Sequence, residues 1–129
     1  MATPNPMENA HGNGSEKPVS SKTYHIAGIL TTVYGLDELP NVQDVACLWL
    51  LHPRLQSQEV MAPVAAASIN DWNRRLNESQ SARATRKGLI AVSFDQRNHG
   101  TREVNKLSNE AWRAGNTNHA PDMFSIYSE

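Results

Sequence analysis

Two short, uninterrupted apolar runs constrain the fold of this chain more than any other feature. The first is Val45–Leu51 and the second is Gly88–Phe94. Neither run alternates apolar with polar residues. Such runs are typical of strands that are buried on both faces, as in parallel sheets covered by helices. The sequence therefore predicts two buried strands of this kind.

The segment between the two runs has the pattern of one amphipathic helix. Pro63 suits the first turn of a helix, where its missing N–H removes no hydrogen bond. Four apolar residues then follow at spacings of four, three and four, which places them on one helical face. They are Ala65, Ile69, Trp72 and Leu76. Strand, helix and strand in this order predict a parallel βαβ unit.

Shorter elements are predicted on both sides of this unit. Upstream, Thr23–Ile26 and Ile29–Tyr34 are β-prone and are joined by Ala27-Gly28, which predicts a hairpin. Downstream, residues 96–118 are polar and loop-like, with a short helix near Asn109–Arg113. A last helix begins at Asn118 or His119, with Met123, Phe124 and Tyr127 on one face. Together these elements predict an α/β fold with a mixed, mostly parallel sheet.

The first 21 residues differ in composition from the rest of the chain. They are rich in Pro, Asn, Gly, Ser and Glu and contain few apolar side chains. Such a segment cannot bury enough apolar surface to offset the entropy of ordering it. We therefore expect a disordered arm over residues 1–21 and a single domain over residues 22–129.

Charge and composition exclude several classes of function. There are 12 basic and 13 acidic side chains and a net charge of -1, which argues against a nucleic-acid-binding protein. The single cysteine, Cys47, excludes an internal disulfide and a multi-cysteine zinc site. No apolar run approaches the roughly 18 residues of a membrane span, and no secretory signal is visible. The sequence predicts a soluble, cytoplasmic chain without a nucleic-acid or membrane partner.

Two polar segments at the ends of the predicted strands resemble those of a known family. The run Asp95-Gln96-Arg97-Asn98-His99-Gly100 resembles the D-x-R-G-H-G loop that follows the fourth strand of α/β-hydrolases. Leu51-His52-Pro53-Arg54 is similar to the H-G-x segment after the third strand of that fold, where oxyanion-hole amides are found. The order of predicted elements agrees with the family from residue 23 to residue 129. The resemblance implies the first part of an α/β-hydrolase sheet.

The resemblance also implies roles for particular residues. Pro53 replaces the usual glycine and has no N–H, so the candidates for oxyanion-hole donors are the next amides, those of Arg54 and Leu55. Asn98 replaces a second glycine, and asparagine tolerates the positive φ that this turn needs. The expected structural loop around the site consists of His52, Asp95, Arg97, Asn98, His99 and Gly100.

The catalytic residues of the family are not found in this sequence. No G-x-S-x-G occurs in the 129 residues. In the family the nucleophile, acid and histidine follow the region that is present here. We therefore expect the N-terminal portion of a serine-type hydrolase, truncated before the nucleophile, whose longer parent acts on a small ester or related acyl substrate. This chain alone is expected to be inactive and to need no cofactor. The alternative is a non-catalytic remnant or interaction protein.

Other groups are expected to be structural. Cys47 lies inside a predicted strand and should pack as a small buried residue. Ser93 also lies inside a predicted strand and has no elbow turn. A metal site formed by histidines with Asp122 is conceivable, but capping and packing explain those residues better; the histidines are His52, His99 and His119. Arg54, Arg97 and Arg102 could form an anion site, although ion pairing with Asp95, Glu103 and Asp122 is the preferred interpretation.

The resemblance makes one more prediction, which concerns the edge of the sheet. In the family the third strand lies between the fourth and the fifth. Here Val45–Leu51 is the third strand, and no fifth is found in the sequence. One side of this strand should therefore be bare, and its uncharged, Pro-free run is typical of an edge that self-associates.

Overall fold

A computed structural model describes residues 16–78 and 86–128 of the chain. The strands are β1 (Ser21–Ile26), β2 (Ile29–Tyr34), β3 (Asp44–Leu50) and β4 (Lys87–Phe94). The α-helices are α1 (Ala62–Glu78) and α2 (His119–Tyr127). Single 3₁₀ turns lie at Gln58–Met61, Gly100–Arg102, Lys106–Asn109 and Trp112–Ala114.

The predicted N-terminal arm lies mostly outside the described residues, because its first 15 residues are not among them. Its last residues contact the domain. Ser20 donates two hydrogen bonds to the Glu38 carboxylate, from its backbone N–H (2.8 Å) and its hydroxyl (2.7 Å). Asn70 of α1 donates to the Lys17 carbonyl at 2.7 Å. The segment that leads into β1 is therefore bonded both to the loop after β2 and to the helix α1.

The four strands form one mixed sheet in the order β1-β2-β4-β3. β3 and β4 are parallel, with Asp44 opposite Lys87 and Leu50 opposite Ser93. β1 pairs with β2, and β2 with β4, in the antiparallel sense. The α/β class and the parallel β3–α1–β4 unit are confirmed. The prediction of a mostly parallel sheet is wrong, because the hairpin adds two antiparallel pairings to a single parallel one.

The hairpin between β1 and β2 forms as its sequence predicts. Ile26 pairs with Ile29, so the loop consists of Ala27 and Gly28 alone. Both have positive φ, at 50° and 80°. Two central residues in this region make the turn type whose twist matches that of the flanking strands.

The core lies between α1 and one face of the sheet. Pro63 lies in the first turn of α1, and Ala65 and Ile69 are fully buried against the strands, as the spacing predicts. Trp72 is partly exposed and donates from its indole nitrogen to the Lys87 carbonyl at 2.9 Å. The buried cluster consists of Tyr34, Leu50, Ala65, Ile69, Leu89 and Ala91.

The two apolar runs have different environments. β4 is the strand with neighbours on both sides, and most of its side chains are buried. β3 is mostly exposed, with only Leu50 buried. The prediction that both runs are buried on both faces is therefore wrong for β3. One face of β3 packs against the core, and Cys47 on the other face is exposed rather than buried.

The C-terminal part of the described chain is built mainly from short turns. The short helix predicted near Asn109–Arg113 is absent from these residues, which instead join two 3₁₀ turns through Glu110 and Ala111. The last helix begins at His119, as predicted, with Pro121 in its first turn. None of the helices in residues 16–78 and 86–128 has the length and apolar character that a membrane crossing requires.

Candidate functional site

The polar segments that follow β3 and β4 lie side by side at the carboxyl ends of these strands. Because the strands are parallel, His52 after β3 and Asp95 after β4 emerge at the same edge of the sheet. His52 is 3% exposed, Asp95 is 1% exposed and His99 is 2% exposed. Polar side chains buried to this extent need hydrogen-bond partners. Those partners determine the shape of the site.

His52 connects the two strand ends. The backbone N–H of Gln96 donates to His52 Nε2 at 3.0 Å. Since Nε2 accepts, the hydrogen-bond network places the proton on Nδ1, which donates to the Pro53 carbonyl at 2.9 Å. The Gln96 side-chain amide also donates to the His52 carbonyl. His52 thus joins the loop after β4 to the loop after β3.

Asp95 organises the surrounding backbone. Its carboxylate accepts from the amide of Gln58 and from both the amide and the hydroxyl of Thr101, each at 2.8 Å. Burial by itself raises the pKa of Asp95, but these hydrogen bonds outweigh it and the pKa is lowered. Asp95 is therefore a carboxylate that bonds the backbone of two separate segments.

Asn98 provides a second organising centre. It has φ 60°, in the left-handed region that the sequence predicts for this position. Its Oδ1 accepts from the amides of Val104 and Asn105, both at 2.8 Å, and its Nδ2 donates to Asn109 Oδ1 at 2.9 Å. A glycine could adopt this φ but could form none of these side-chain bonds.

Gly100 and Arg102 support the Asp95 carboxyl group and backbone. Gly100 has φ 51°, and a Cβ at this position would overlap the Asp95 carboxyl group. Arg102 Nη1 donates to the Asp95 carbonyl at 2.9 Å. This bond fixes the Arg102 side chain on the backbone of the strand end.

His99 does not pair with Asp95 as a catalytic base would with an orienting acid. Its Nδ1 bonds the Arg97 carbonyl at 2.9 Å. Its ring lies 5.3 Å from that of His52, measured between centroids. The Nε2 atom is buried and has no hydrogen-bond partner among the described residues. The structure therefore supports a packing role for His99.

A cavity of about 450 Å³ opens at these strand ends. Its walls are mainly apolar, and α2 closes one side of it. Arg54 stands beside Met123 of α2, with Nη1 3.8 Å from the sulfur. The lining residues include Leu51, His52, Arg54, Phe94, His99, Met123 and Tyr127. A mainly apolar cavity with a few polar groups at its base is the usual form of a small-molecule site.

The two oxyanion-hole candidates lie at different cavities. Arg54 lines the strand-end cavity. Leu55 has φ 68° and lines a neighbouring depression with His99 and Gly100. No hydrogen bond joins the amide of either residue to another part of the described chain. Of the two candidates, therefore, only Arg54 lines the strand-end cavity.

His119 and Asp122 of the conceivable metal site have other hydrogen-bond partners. His119 bonds the Glu110 carbonyl at 3.1 Å, and Asp122 accepts from Asn116 at 3.1 Å. Within the described residues, no three His, Cys, Asp or Glu side chains are grouped so that they could hold a metal ion.

The arginines proposed for an anion site are also separated. Arg97 and Arg102 line a second cavity, which they share with Asp122. Arg54 lines the strand-end cavity instead. The three arginines therefore do not surround one common cavity.

Several residues of the site carry no signal in the sequence. Gln58 is 37 residues from Asp95 in the chain and donates from its backbone N–H. Since any residue except proline has this donor, the side chain of Gln58 gives no sign of the bond. Thr101 lies six residues after Asp95 within a polar loop. Met123 and Tyr127 were predicted to share a helix face, but their place at the cavity follows only from the position of α2.

Comparison with protein-family models, with curated proteins and with solved structures found no match for this chain.

Proposed function

We propose that this chain forms the N-terminal part of a serine-type α/β-hydrolase. Its strand-end cavity would receive the acyl group of a small ester or a related substrate, and the 129 residues alone would be inactive. The observation that carries the proposal is the cavity itself. It lies at the carboxyl ends of two parallel strands, where ligands bind in open α/β sheets. His52 lines this cavity and bonds the Gln96 amide, while the neighbouring Asp95 holds the Gln58 amide.

The arrangement of the strands supports the same proposal. The family resemblance implies a third strand beside the fourth, and β3 pairs with β4 in the order β1-β2-β4-β3. Asn98 replaces a family glycine and keeps the left-handed φ. The strand order thus agrees with the family pattern, and the φ of Asn98 does so although its residue type differs.

The chemistry divides between this chain and residues that it lacks. In the proposed hydrolase a serine attacks the acyl carbon and a histidine takes the serine proton. The contribution of this chain would be the backbone N–H of Arg54, which would stabilise the negative oxygen that develops on the carbonyl. Leu51 and Phe94 provide apolar walls for the acyl group.

Activity measurements test the catalytic half of the proposal. The purified chain should not turn over p-nitrophenyl esters, because no nucleophile elbow is present. It should also remain unlabelled by a fluorophosphonate probe. Stoichiometric labelling of any serine would overturn the proposal.

Binding measurements test the cavity. p-Nitrophenyl butyrate should shift the NMR signals of Leu51, Phe94 and Met123, which line the cavity. Met123→Trp should fill the cavity and abolish these shifts. Phe124→Trp is the matched control, because this neighbour on α2 is 73% exposed and does not line the cavity. Shifts that survive Met123→Trp would place the ester elsewhere and contradict the proposal.

A non-catalytic interaction protein is the second candidate function. The observation that favours it is the exposed edge strand β3. Its Val45 and Trp49, and Leu51 directly after it, are each about half exposed or more. Large apolar side chains grouped on a surface mark an interaction site more often than isolated ones do.

A further inference from the structure

β3 has an unprotected outer edge. It is the last strand in the order β1-β2-β4-β3, and no strand among the described residues pairs with its outer side. Natural edge strands are usually protected by lysine, proline, a bulge or a covering segment. The range Asp44–Leu50 contains no lysine or proline, and its single charge is at its first residue. The opposite edge differs, because β1 carries Lys22 and is polar along most of its length.

The side chains of β3 divide cleanly between its two faces. Ala46, Leu48 and Leu50 pack against the core under α1. Val45 and Trp49 point to the other face and are 47% and 64% exposed. Trp49 also meets the Phe94 ring edge-on, with centroids 6.1 Å apart. The free edge is therefore continuous with an exposed apolar surface.

We propose that the partner of this edge is a second copy of the chain, whose β3 pairs with the first in the antiparallel sense around a two-fold axis at Cys47. Cys47 is the midpoint of the seven residues of β3, so this register pairs the whole strand with itself. Each Trp49 then lies opposite Val45 of the other copy. Aromatic and β-branched residues directly opposite each other are among the favourable cross-strand pairs.

The position of the only charge selects the antiparallel direction. In an antiparallel pair, the two Asp44 carboxylates lie at opposite ends of the strand, six residues or about 20 Å apart along it. A parallel pair in register would place them side by side, where like charges are unfavourable. A second copy also has an edge with unpaired backbone N–H and C=O groups. Pairing the two edges would provide hydrogen-bond partners for the backbone groups of both copies.

The position of α1 leaves room for this contact. The helix packs mainly on β4 and reaches β2, on the side of the sheet away from the free edge of β3. The proposal does not depend on hydrolase function. A hydrolase fifth strand would occupy the same edge, so the two arrangements exclude each other on one chain.

Crosslinking tests the register directly. Opposed residues of an antiparallel pair have Cβ atoms about 4.5–5.5 Å apart, close to the separation that a disulfide needs. Because Cys47 is the only cysteine, mild oxidation should yield a dimer joined through Cys47 alone. Cys47→Ser should lose the covalent dimer but still form the dimer seen by light scattering.

A charge substitution at the interface provides the second arm. Trp49→Lys should weaken dimerisation by about tenfold or more, since it replaces both Trp49–Val45 pairs. Its exposure makes loss of folding unexpected, and circular dichroism checks this point. Tyr24→Lys on β1 is the matched control and should leave the dimer unchanged.

Three outcomes would overturn the proposal. The first is a monomer at tens of micromolar concentration. The second is crosslinking that is unaffected by Trp49→Lys in a folded variant. The third is a dimer without Cys47 crosslinking whose β3 amides exchange as fast as in the dilute chain.

Discussion

Asp95 is the residue on which the loops of the site depend most. Burial raises its pKa, but three hydrogen bonds lower it by a larger amount. The net result is a pKa below the usual value of 3.8. A carboxyl group with a lowered pKa in the folded state stabilises that state above its unfolded pKa. The contribution is lost as the pH falls through the folded pKa. Acid should therefore begin to destabilise the protein below about pH 4.

The variant Asp95→Asn should lower the free energy of unfolding at pH 7 by about 2–4 kcal/mol. An amide nitrogen would then face the Gln58 or Thr101 amide, and a buried donor would lose its partner. Urea denaturation measures this change. Asp71→Asn, at an exposed carboxylate of α1, should change stability little at the same pH. Equal stability of the Asp95 variant and the parent chain would contradict the structural role.

The residues of the site show how far a sequence can predict such a cluster. Asn98 was predictable, because a local motif requires positive φ there and asparagine can adopt it. The contact between Asp95 and the Gln58 amide was not, because backbone donors carry no residue-specific signal. The bond from Arg102 to the Asp95 carbonyl was not predictable either, because spacing along a chain does not show which oxygen an arginine contacts.

At the scale of elements, the end of β2 and the middle of α1 meet at Gly35. This residue has φ 85°, and a Cβ on it would lie 2.6 Å from Ile69 Cδ1. Gly35→Ala should therefore cost both left-handed strain and repacking of the core, about 2–4 kcal/mol together. Gly28→Ala provides the control, because its φ is 80° and nothing lies within 4 Å of the added Cβ.

The comparison of these two variants separates strain from packing. Gly28→Ala should cost only the strain, about 1–2 kcal/mol. Chemical denaturation of both variants measures the difference. If they were equally unstable, α1 would not pack against the end of β2 as closely as the structure has it.

The two apolar runs explain why elements are easier to predict than their environments. Both runs form strands within one residue of the predicted bounds. An apolar run, however, shows only that a strand tolerates burial on both faces. The neighbours decide whether it is buried. β4 lies between two strands, whereas β3 is at an edge with Trp49 64% exposed.

At the scale of the whole molecule, the balance of parallel and antiparallel pairing depends on the contact between β2 and β4, which no local sequence pattern encodes. The turn at Ala27-Gly28 predicts β1 beside β2, and the helix predicts β3 beside β4. Nothing in the sequence of the hairpin says which of its strands joins the parallel pair. Once β2 pairs with β4, antiparallel contacts outnumber the parallel one. The fold class was thus predictable, but the balance of strand directions was not.

The small size of the core makes the proposed assembly relevant to the stability of the chain. In the described residues, nine apolar side chains are buried, and three of them are alanines. Large apolar residues such as Trp49 remain at the surface, where pairing with a second copy would protect them. A partner that binds only the folded state raises its apparent stability by mass action. The melting temperature of the chain should therefore increase with its concentration.

The size of this increase can be calculated for a native dimer that unfolds to two monomers. With an unfolding enthalpy of about 0.7 kcal/mol per residue, a tenfold rise in concentration should raise the melting temperature by roughly 3 °C. Differential scanning calorimetry over a hundredfold range measures it. Trp49→Lys should reduce the dependence, because it weakens the dimer rather than the core of the monomer. A melting temperature that is independent of concentration in the parent chain would mean that the nine buried residues stabilise the fold without assembly.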